Sequence, residues 1–543
     1  METTAPNMPL FLAIVGSYFI LLVLLGYQGW RKTRTAEDYM LAGRGMHSFV
    51  MALSYGASFI STAAIIGFTG LASMLGLGLL WLVFANIAIG ILLAFTVFGR
   101  AVRKVGSNLN AVTFPELLGK RVQSGFVQGF AGLLIFLTLP LYAGVILIGA
   151  ARFIAPTLQV SYEGALIVFS LIIAIYVVIG GLKSAMMAEA FQGALMFLGM
   201  AALAIMVYAK LGGILPAHQA LTALAPEVPA GLAAKGLQGW TAMPAFGSPF
   251  WWLLITSIIL PVGLGSLAQP QLNVRFMTVK RGRDLNRGVL IGGLFILVMV
   301  GTAYITGALS NVFFLDKTGK LALDAAGGNV DLVMPLFLNL ELPQWYVYLF
   351  MVTLLAAAMS TLSSLFHAMG SALGRDVVQV WMQKSGEAAA STIKVTRIAI
   401  TVAILASVVI AFSLPPSIVA MGTAFVFGLF GAAFLPMLVG GLFTRGLTKA
   451  GAISGMLTGC LSSLAWTLLV HGKEAGAVGL ANKLFGGPLF PEPWASIDSL
   501  LIALPLATLV TVVVSLVTPK PDAVHLDKCF AESVYDESVE EAK

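Results

Sequence analysis

Apolar residues in this chain neither alternate nor recur along a single helix face. They run on in blocks of about twenty residues or more, enough to cross a bilayer as a helix. Most of the charge falls in the short stretches between the blocks. The pattern predicts an all-α integral membrane protein with thirteen spans, at roughly 10–30, 48–74, 77–99, 124–151, 162–182, 186–210, 249–275, 287–313, 344–372, 393–413, 416–443, 449–470 and 498–518. An odd number of spans puts the two termini on opposite sides.

Composition agrees. Hydrophobic residues make up 59% of the 543 positions and charged ones 10%, against roughly 25% charged in soluble domains. The 58 glycines and 22 methionines suit closely packed membrane helices. Cys460 and Cys529 form neither a disulfide framework nor metal-ligand spacing. A net charge of +7 raises the question of nucleic acid, but the basic residues sit in short clusters between apolar runs, which is a topology signal. Neither a nucleic-acid partner nor an obligate protein partner is predicted; the partners are the bilayer and a small solute.

The first run has no basic residue before it, and Arg31, Lys32 and Arg34 after it. A secretory leader has the opposite asymmetry, so the run is predicted to be a retained span with its N-terminus outside. On that arrangement only Arg152, Lys210, Lys235, Lys317, Lys320, Lys473 and Lys483 of the 31 Lys and Arg fall outside, as the positive-inside rule requires. The expected location is the cell (inner) membrane, multi-pass, with the C-terminus cytoplasmic. Outer loops at 212–248 and 314–343 are expected to carry short surface helices. The polar tail from Pro519, acidic at its end, is expected to be solvated and partly disordered.

Spans two to six and seven to eleven form two groups of five, so the second must be inverted relative to the first. Each opens on a run interrupted by small or breaking residues: Ser54-Tyr55-Gly56-Ala57-Ser58, and Pro261 to Ser266 followed by Gln269-Pro270. Backbone freed at membrane depth is tolerated where it faces protein or a water-filled cavity, and matching interruptions point to a transporter's binding site. The units are therefore residues 1–45 (first span and entry loop), 46–211 (first repeat), 212–248 (outer loop), 249–443 (second repeat), 444–518 (two further spans) and 519–543 (tail).

Several landmarks then resemble the sodium/solute symporter family of bacterial proline, pantothenate and acetate carriers and of sugar and iodide cotransporters. They are Asp38 to Arg44; Gly180-Gly181-Leu182-Lys183-Ser184 with Glu189 and Gln192; Gln269-Pro270 with Arg275-Phe276; Ala357 to Ser364 with Arg375-Asp376; and Phe430 to Phe434 with Pro436 and Gly451-Ala452. The resemblance runs from Asp38 to Gly459. It implies thirteen spans around a leucine-transporter-type five-plus-five inverted-repeat core, and sodium-coupled uptake with no organic cofactor.

Sodium is a hard cation served by oxygen ligands, and carbonyls and hydroxyls supply them without buried charge. Ala357, Ser360 and Thr361 lie at i, i+3 and i+4 on one helix face, although such hydroxyls also bond back to i−4 carbonyls. The resemblance adds the carbonyls of Ala57 and Ile60 from the broken second span. It places Glu189, where the family more often has Asp, near the ion's exit path; pairing with Lys183 or Arg275 is the alternative. Ser363 and Ser364 read as packing or supporting groups. His367 could suggest proton coupling but reads as a hydrogen-bonded helix residue.

The solute should bind at the midplane between the two breaks, lined also by spans four and eleven. Ser61, Thr62, Tyr142, Ser266, Gln269 and Phe427 are the candidate contacts. The family's proline carriers have an acid where this chain has Phe59, and aromatics where it has Val262 and Ser266. An apolar pocket disfavours sugars, since each unpaired buried polar group costs about 1–3 kcal/mol. The expectation is a sodium-coupled symporter of a small monocarboxylate or neutral amino acid, working by alternating access. The alternatives are a proton-coupled carrier of the same fold and a sodium/proline symporter proper. No enzyme is expected: HExxH, Gly-x-Ser-x-Gly and phosphate-binding Gly-Lys-Ser/Thr loops are all missing from the sequence.

Overall fold

The structure, a computed structural model, describes residues 6–32, 41–179, 182–282, 284–378, 380, 389–472 and 480–532. The Asp38-Tyr39-Met40 and Gly180-Gly181 landmarks and the end of the tail lie outside them. Among the described residues there is no strand, only an isolated bridge between Met46 and Val279. Eleven helices among the described residues are long and apolar enough to cross a membrane, and two shorter apolar helices accompany them. Leu290 and Leu516 are each 79% exposed on the outer surface, which suits hydrocarbon and not water.

In chain order, α1 is Met8–Lys32 and α2 is Ser48–Phe59. A π-helical turn, Ala63–Gly67, leads into α3 (Phe68–Leu75). Gly76, at φ +71°, turns the chain into α4, residues 80–108. Next come α5 (Phe114–Arg121), α6 (Gly125–Leu158), α7 (Tyr162–Ile179) and α8 (Leu182–Lys210). After α9 (Ile214–Ala223) the second half begins with α10 (Pro249–Ala268) and α11 (Pro270–Phe276). It continues through α12 (Asp284–Thr318), α13 (Val333–Glu341), α14 (Gln344–Val378) and α15 (Ala389–Ser413). The chain closes with α16 (Val419–Phe443), α17 (Lys449–Leu469), α18 (Ser499–Val517) and α19 (Ala523–Phe530).

Both expected interruptions exist, a few residues beyond where the small residues suggested. Ser54 to Ser58 stays helical, because Gly56 is needed for packing: a Cβ there would lie 2.6 Å from the Phe295 ring. The break falls at Ile60, which is extended (φ −94°, ψ 108°). Ser61 then opens the next segment by accepting the Ala63 N–H at 3.2 Å, as a capping hydroxyl does. Pro261 is likewise absorbed, after a π-helical stretch at Leu253–Ile259. Pro270 disfavours a helical conformation in the residue before it, so Gln269 is extended (φ −71°, ψ 121°). Asn273 satisfies carbonyls this break frees, donating to Leu267 O at 2.8 Å and Gln269 O at 2.9 Å.

The helices pack in two groups. In one, α2, α4, α11 and α12 lie against each other; in the other, α6, α7, α14 and α15 do so. α8 packs on both α2 and α14, and α16 on both α10 and α6. The two long loops carry short helices as expected, among them α9 and α13. Part of the tail is more ordered than the sequence suggested: residues 523–530 form a docked helix with Leu526 and Cys529 buried. Its two buried residues fall three apart, on one face of a helix too short for hydropathy to find.

Candidate ion and solute sites

The α2 break leaves the last carbonyls of that helix without the amide four residues on. Hydroxyls on α14 meet them. Ser360 Oγ donates to Ala57 O at 2.7 Å and lies 3.2 Å from Ala357 O. Thr361 Oγ1 reaches the same Ala57 oxygen at 3.3 Å. Ala57, Ala357, Ser360 and Thr361 are all fully buried, so carbonyls and hydroxyls converge between the two helix groups without a charge among them. Ile60 is the residue at which α2 stops.

One turn further along α14 the character changes. Ser364 Oγ hydrogen-bonds Ser360 O and Glu189 Oε1, both at 2.8 Å, and Ser58 Oγ at 2.9 Å. Glu189 Oε2 accepts from Ser54 Oγ and Arg275 Nη2, each at 2.6 Å. Arg275 Nη2 also meets Ser58 and Ser364, and Nε meets Ser54 at 3.0 Å. Both charges are buried, at 0% and 1% exposure. Of the two partners weighed for Glu189, the structure provides Arg275. A cavity of about 40 Å³ reaches Arg275, Ser364 and His367 from beside Ser371 and Thr396.

A separate cavity of about 20 Å³ sits at Ile60, between Phe59, Phe68, Tyr142, Val262, Tyr304 and Phe427, with Ser61, Asn86 and Thr423 as its polar groups. That volume holds about one water molecule. Phe427 stacks on Phe59 and meets Tyr142 edge to face, with centroids at 6.2 and 5.6 Å; Tyr142 hydroxyl reaches Ser61 Oγ at 3.4 Å.

Of the six nominated contacts, Ser61, Tyr142 and Phe427 line this cavity. Thr62, Ser266 and Gln269 do not: Thr62 donates to Ile146 O at 2.9 Å, Ser266 to Gly263 O at 2.7 Å, and Gln269 meets Gly265 O and Gln271. Their polar groups are engaged by α6, by their own helix or by a neighbouring side chain. Asn86 was missed. It is 2% exposed, and its Oδ1 has no hydrogen-bond partner. A lone amide inside the apolar run of α4 was the available signal, because polar groups at membrane depth are costly.

A larger cavity lies elsewhere. About 510 Å³, it opens between α1 and α7 past Val23 and Ile175, 70% and 66% exposed, and ends at Ser363 and His367. Its apolar rim suits lipid chains, so we place no solute there.

Comparison with known proteins identifies the family and the fold. The model of the "Sodium:solute symporter family" matches residues 39–459. The osmoregulated proline transporter of Bacillus subtilis (strain 168) is 25% identical over 85% of this chain and 89% of its own length. The sodium/pantothenate symporter of Haemophilus influenzae is 27% identical over 80% and 84%, and the sodium/proline symporter of Escherichia coli (strain K12) 26% over 91% and 93%. Among solved structures, a sodium-coupled sialic acid symporter in a substrate-bound outward-open state superposes with a TM-score of 0.74 at 19% identity, over 94% of this chain and 98% of that one; the two share a fold. With that fold and a family match covering most of its length, this chain belongs to the sodium:solute symporter family and is a sodium-coupled solute carrier of the membrane.

Proposed function

We propose that this carrier takes up a small carboxylate-bearing solute, a neutral amino or imino acid or a monocarboxylate, by alternating access driven by sodium bound at Ala57, Ile60, Ala357, Ser360 and Thr361. The single observation carrying the ion site is that Ser360 and Thr361 on one helix group converge on the Ala57 carbonyl of the other. An ion held there ties the groups together, and its loss lets them separate. Glu189 with Arg275, bridged to this site through Ser364, marks the ion's inner path and holds α8, α11 and α14 together until it leaves.

The solute class rests on the cavity at Asn86. Its walls are aromatic, its polar groups are hydroxyls and one amide, and no charged side chain lines it. A sugar would leave many hydroxyls unpaired. Relatives named as proline symporters keep proline within this class, despite Phe59, Val262 and Ser266. In the topology we propose, thirteen spans form an inverted five-plus-five repeat plus flanking helices in the cell membrane, with the N-terminus outside. A tenfold sodium gradient and 100 mV together supply about 3.7 kcal/mol per sodium, enough for roughly 500-fold accumulation of a neutral solute.

Radiolabelled uptake into proteoliposomes across amino acids, imino acids, monocarboxylates and sugars, with and without sodium, tests this reading. Sodium-driven uptake of a carboxylate-bearing solute is expected. Rapid sodium-driven sugar uptake would overturn the solute class, and uptake driven by a pH gradient without sodium would overturn the coupling.

A further inference from the structure

An eight-residue helix is unstable alone in water, so α19 exists because of what it docks against. Asp522 caps its start, accepting the Val524 and His525 amides. At its other end Asn108, the last residue of α4, donates to Cys529 O at 3.2 Å and Ala531 O at 2.8 Å. Between these, His525 Nε2 lies 3.2 Å from Arg121 O on α5. The Phe530 ring is covered by the guanidiniums of Arg121 and Arg445, at 5.2 and 5.7 Å, and Asp527 pairs with Arg445 at 2.8 Å. Arg121 also holds the end of α16, donating to Gly441 O at 2.7 Å and Thr444 O at 2.8 Å.

These partners belong to different parts of the carrier. Asn108 ends α4, in the group with α2; α5 packs on α6, in the group with α14. α19 therefore straddles, at one end of the bundle, the same boundary that Ala57, Ser360 and Thr361 straddle within it. If the groups move relative to one another, α19 cannot keep both attachments. Its holds are few and partly solvent-exposed: Arg445 and Asp527 side chains are 61% and 67% exposed, which makes such a pair weak. A contact of that strength biases a conformational equilibrium without locking it.

We propose that α19 is a state-selective latch, docked while the ion site is assembled and released when the two groups separate, so that the segment after Thr518 tunes the apparent sodium affinity. This rests on the sodium-coupled alternating-access reading above. Because latch and ion favour the same state, linkage makes the effect reciprocal: sodium should hold the latch down, and loss of the latch should weaken sodium.

Two readouts on the purified full-length carrier test it. In a Cys460→Ala background, sodium, compared with potassium, should slow thiol labelling of Cys529. Truncation after Thr518 should raise the sodium concentration for half-maximal uptake by about fivefold, within the range of ordinary allosteric couplings. Asp527→Arg, which sets a third cation beside Arg121 and Arg445, should have the same direction of effect, and adding Arg445→Asp should restore the wild-type value. The charge swap keeps the proposal testable if the truncated chain does not fold. Sodium-driven uptake with equal sodium dependence in all variants, and Cys529 labelling indifferent to sodium, would overturn the latch alone. Uptake by the full-length carrier with no sodium dependence would overturn the reading beneath it, and the latch's sodium coupling too.

Discussion

Ile60 separates two sites built in opposite ways. On one side, Ala57, Ser360 and Thr361 bring together backbone oxygens and hydroxyls already within hydrogen-bond reach of one another, backed by the Ser54, Ser58, Glu189, Arg275 and Ser364 network. On the other, six apolar and aromatic side chains enclose about 20 Å³ around Asn86, whose carbonyl oxygen meets nothing. The oxygens of the proposed ion site already converge. The solute site must open: ligand pockets hold roughly 300 Å³ or more, so Phe59, Tyr142 and Phe427 have to part to admit a solute. On the proposed reading, coupling would follow from that difference, because a junction between two helix groups sets how far a cavity beside it opens.

The polar side of the comparison should break most severely. Glu189→Ala leaves Arg275 charged and buried without its carboxylate, a change that costs about 3–5 kcal/mol. The variant is expected to lose its folded, monodisperse form in detergent, with Glu189→Gln milder because its amide oxygen can still accept from Arg275. Equal thermal stability of Glu189→Ala and wild type would deny that this pair ties the helices together.

The soft side should fail differently. Asn86→Ala should raise the solute KM about tenfold, the equivalent of one lost buried hydrogen bond to a polar solute, with the sodium requirement within about twofold of wild type. Uptake kinetics at saturating sodium decide this, and an unchanged solute KM would remove Asn86 from the site.

The smallest effect lies at the end of α14. Burial would push the Glu116 carboxyl up, but hydrogen bonds and charge from Arg375, with Lys120 and the Val112 amide, outweigh it and hold the carboxyl below its ordinary value. A depressed carboxyl adds stability that is present above its unfolded value, about 4.3, and is lost as pH falls through the folded value. Glu116→Gln should therefore lower the melting temperature by about 1 °C at pH 7, with the gap narrowing below about pH 4. A gap independent of pH would place the effect in packing.

How much of this was legible in the sequence depended on where each site takes its atoms. Ala357, Ser360 and Thr361 fall on one helix face by spacing alone, and family resemblance supplied Ala57 and Ile60 from α2. Arg275 was visible as a possible partner of Glu189. The solute cavity draws on α2, α3, α4, α6, α10, α12 and α16, and no spacing rule brings seven helices together; hence Thr62, Ser266 and Gln269 were nominated as solute contacts, whereas they make hydrogen bonds of the kind many membrane hydroxyls and amides make. The breaks were misplaced by a few residues because small residues such as Gly56 serve packing as readily as interruption. The docked tail was missed because its helix is short and its attachments are made by Asn108, Arg121 and Arg445, far away in sequence.

The most direct test of the ion site is the sodium dependence of uptake by Ser360→Ala, Thr361→Ala and the double variant in proteoliposomes, at fixed solute and membrane potential. Loss of these oxygens should raise the half-maximal sodium concentration by about tenfold for each single variant, equivalent to about 1.4 kcal/mol, and abolish sodium stimulation in the double variant. Wild-type sodium dependence in both single variants would contradict the assignment of sodium to the junction of α2 and α14.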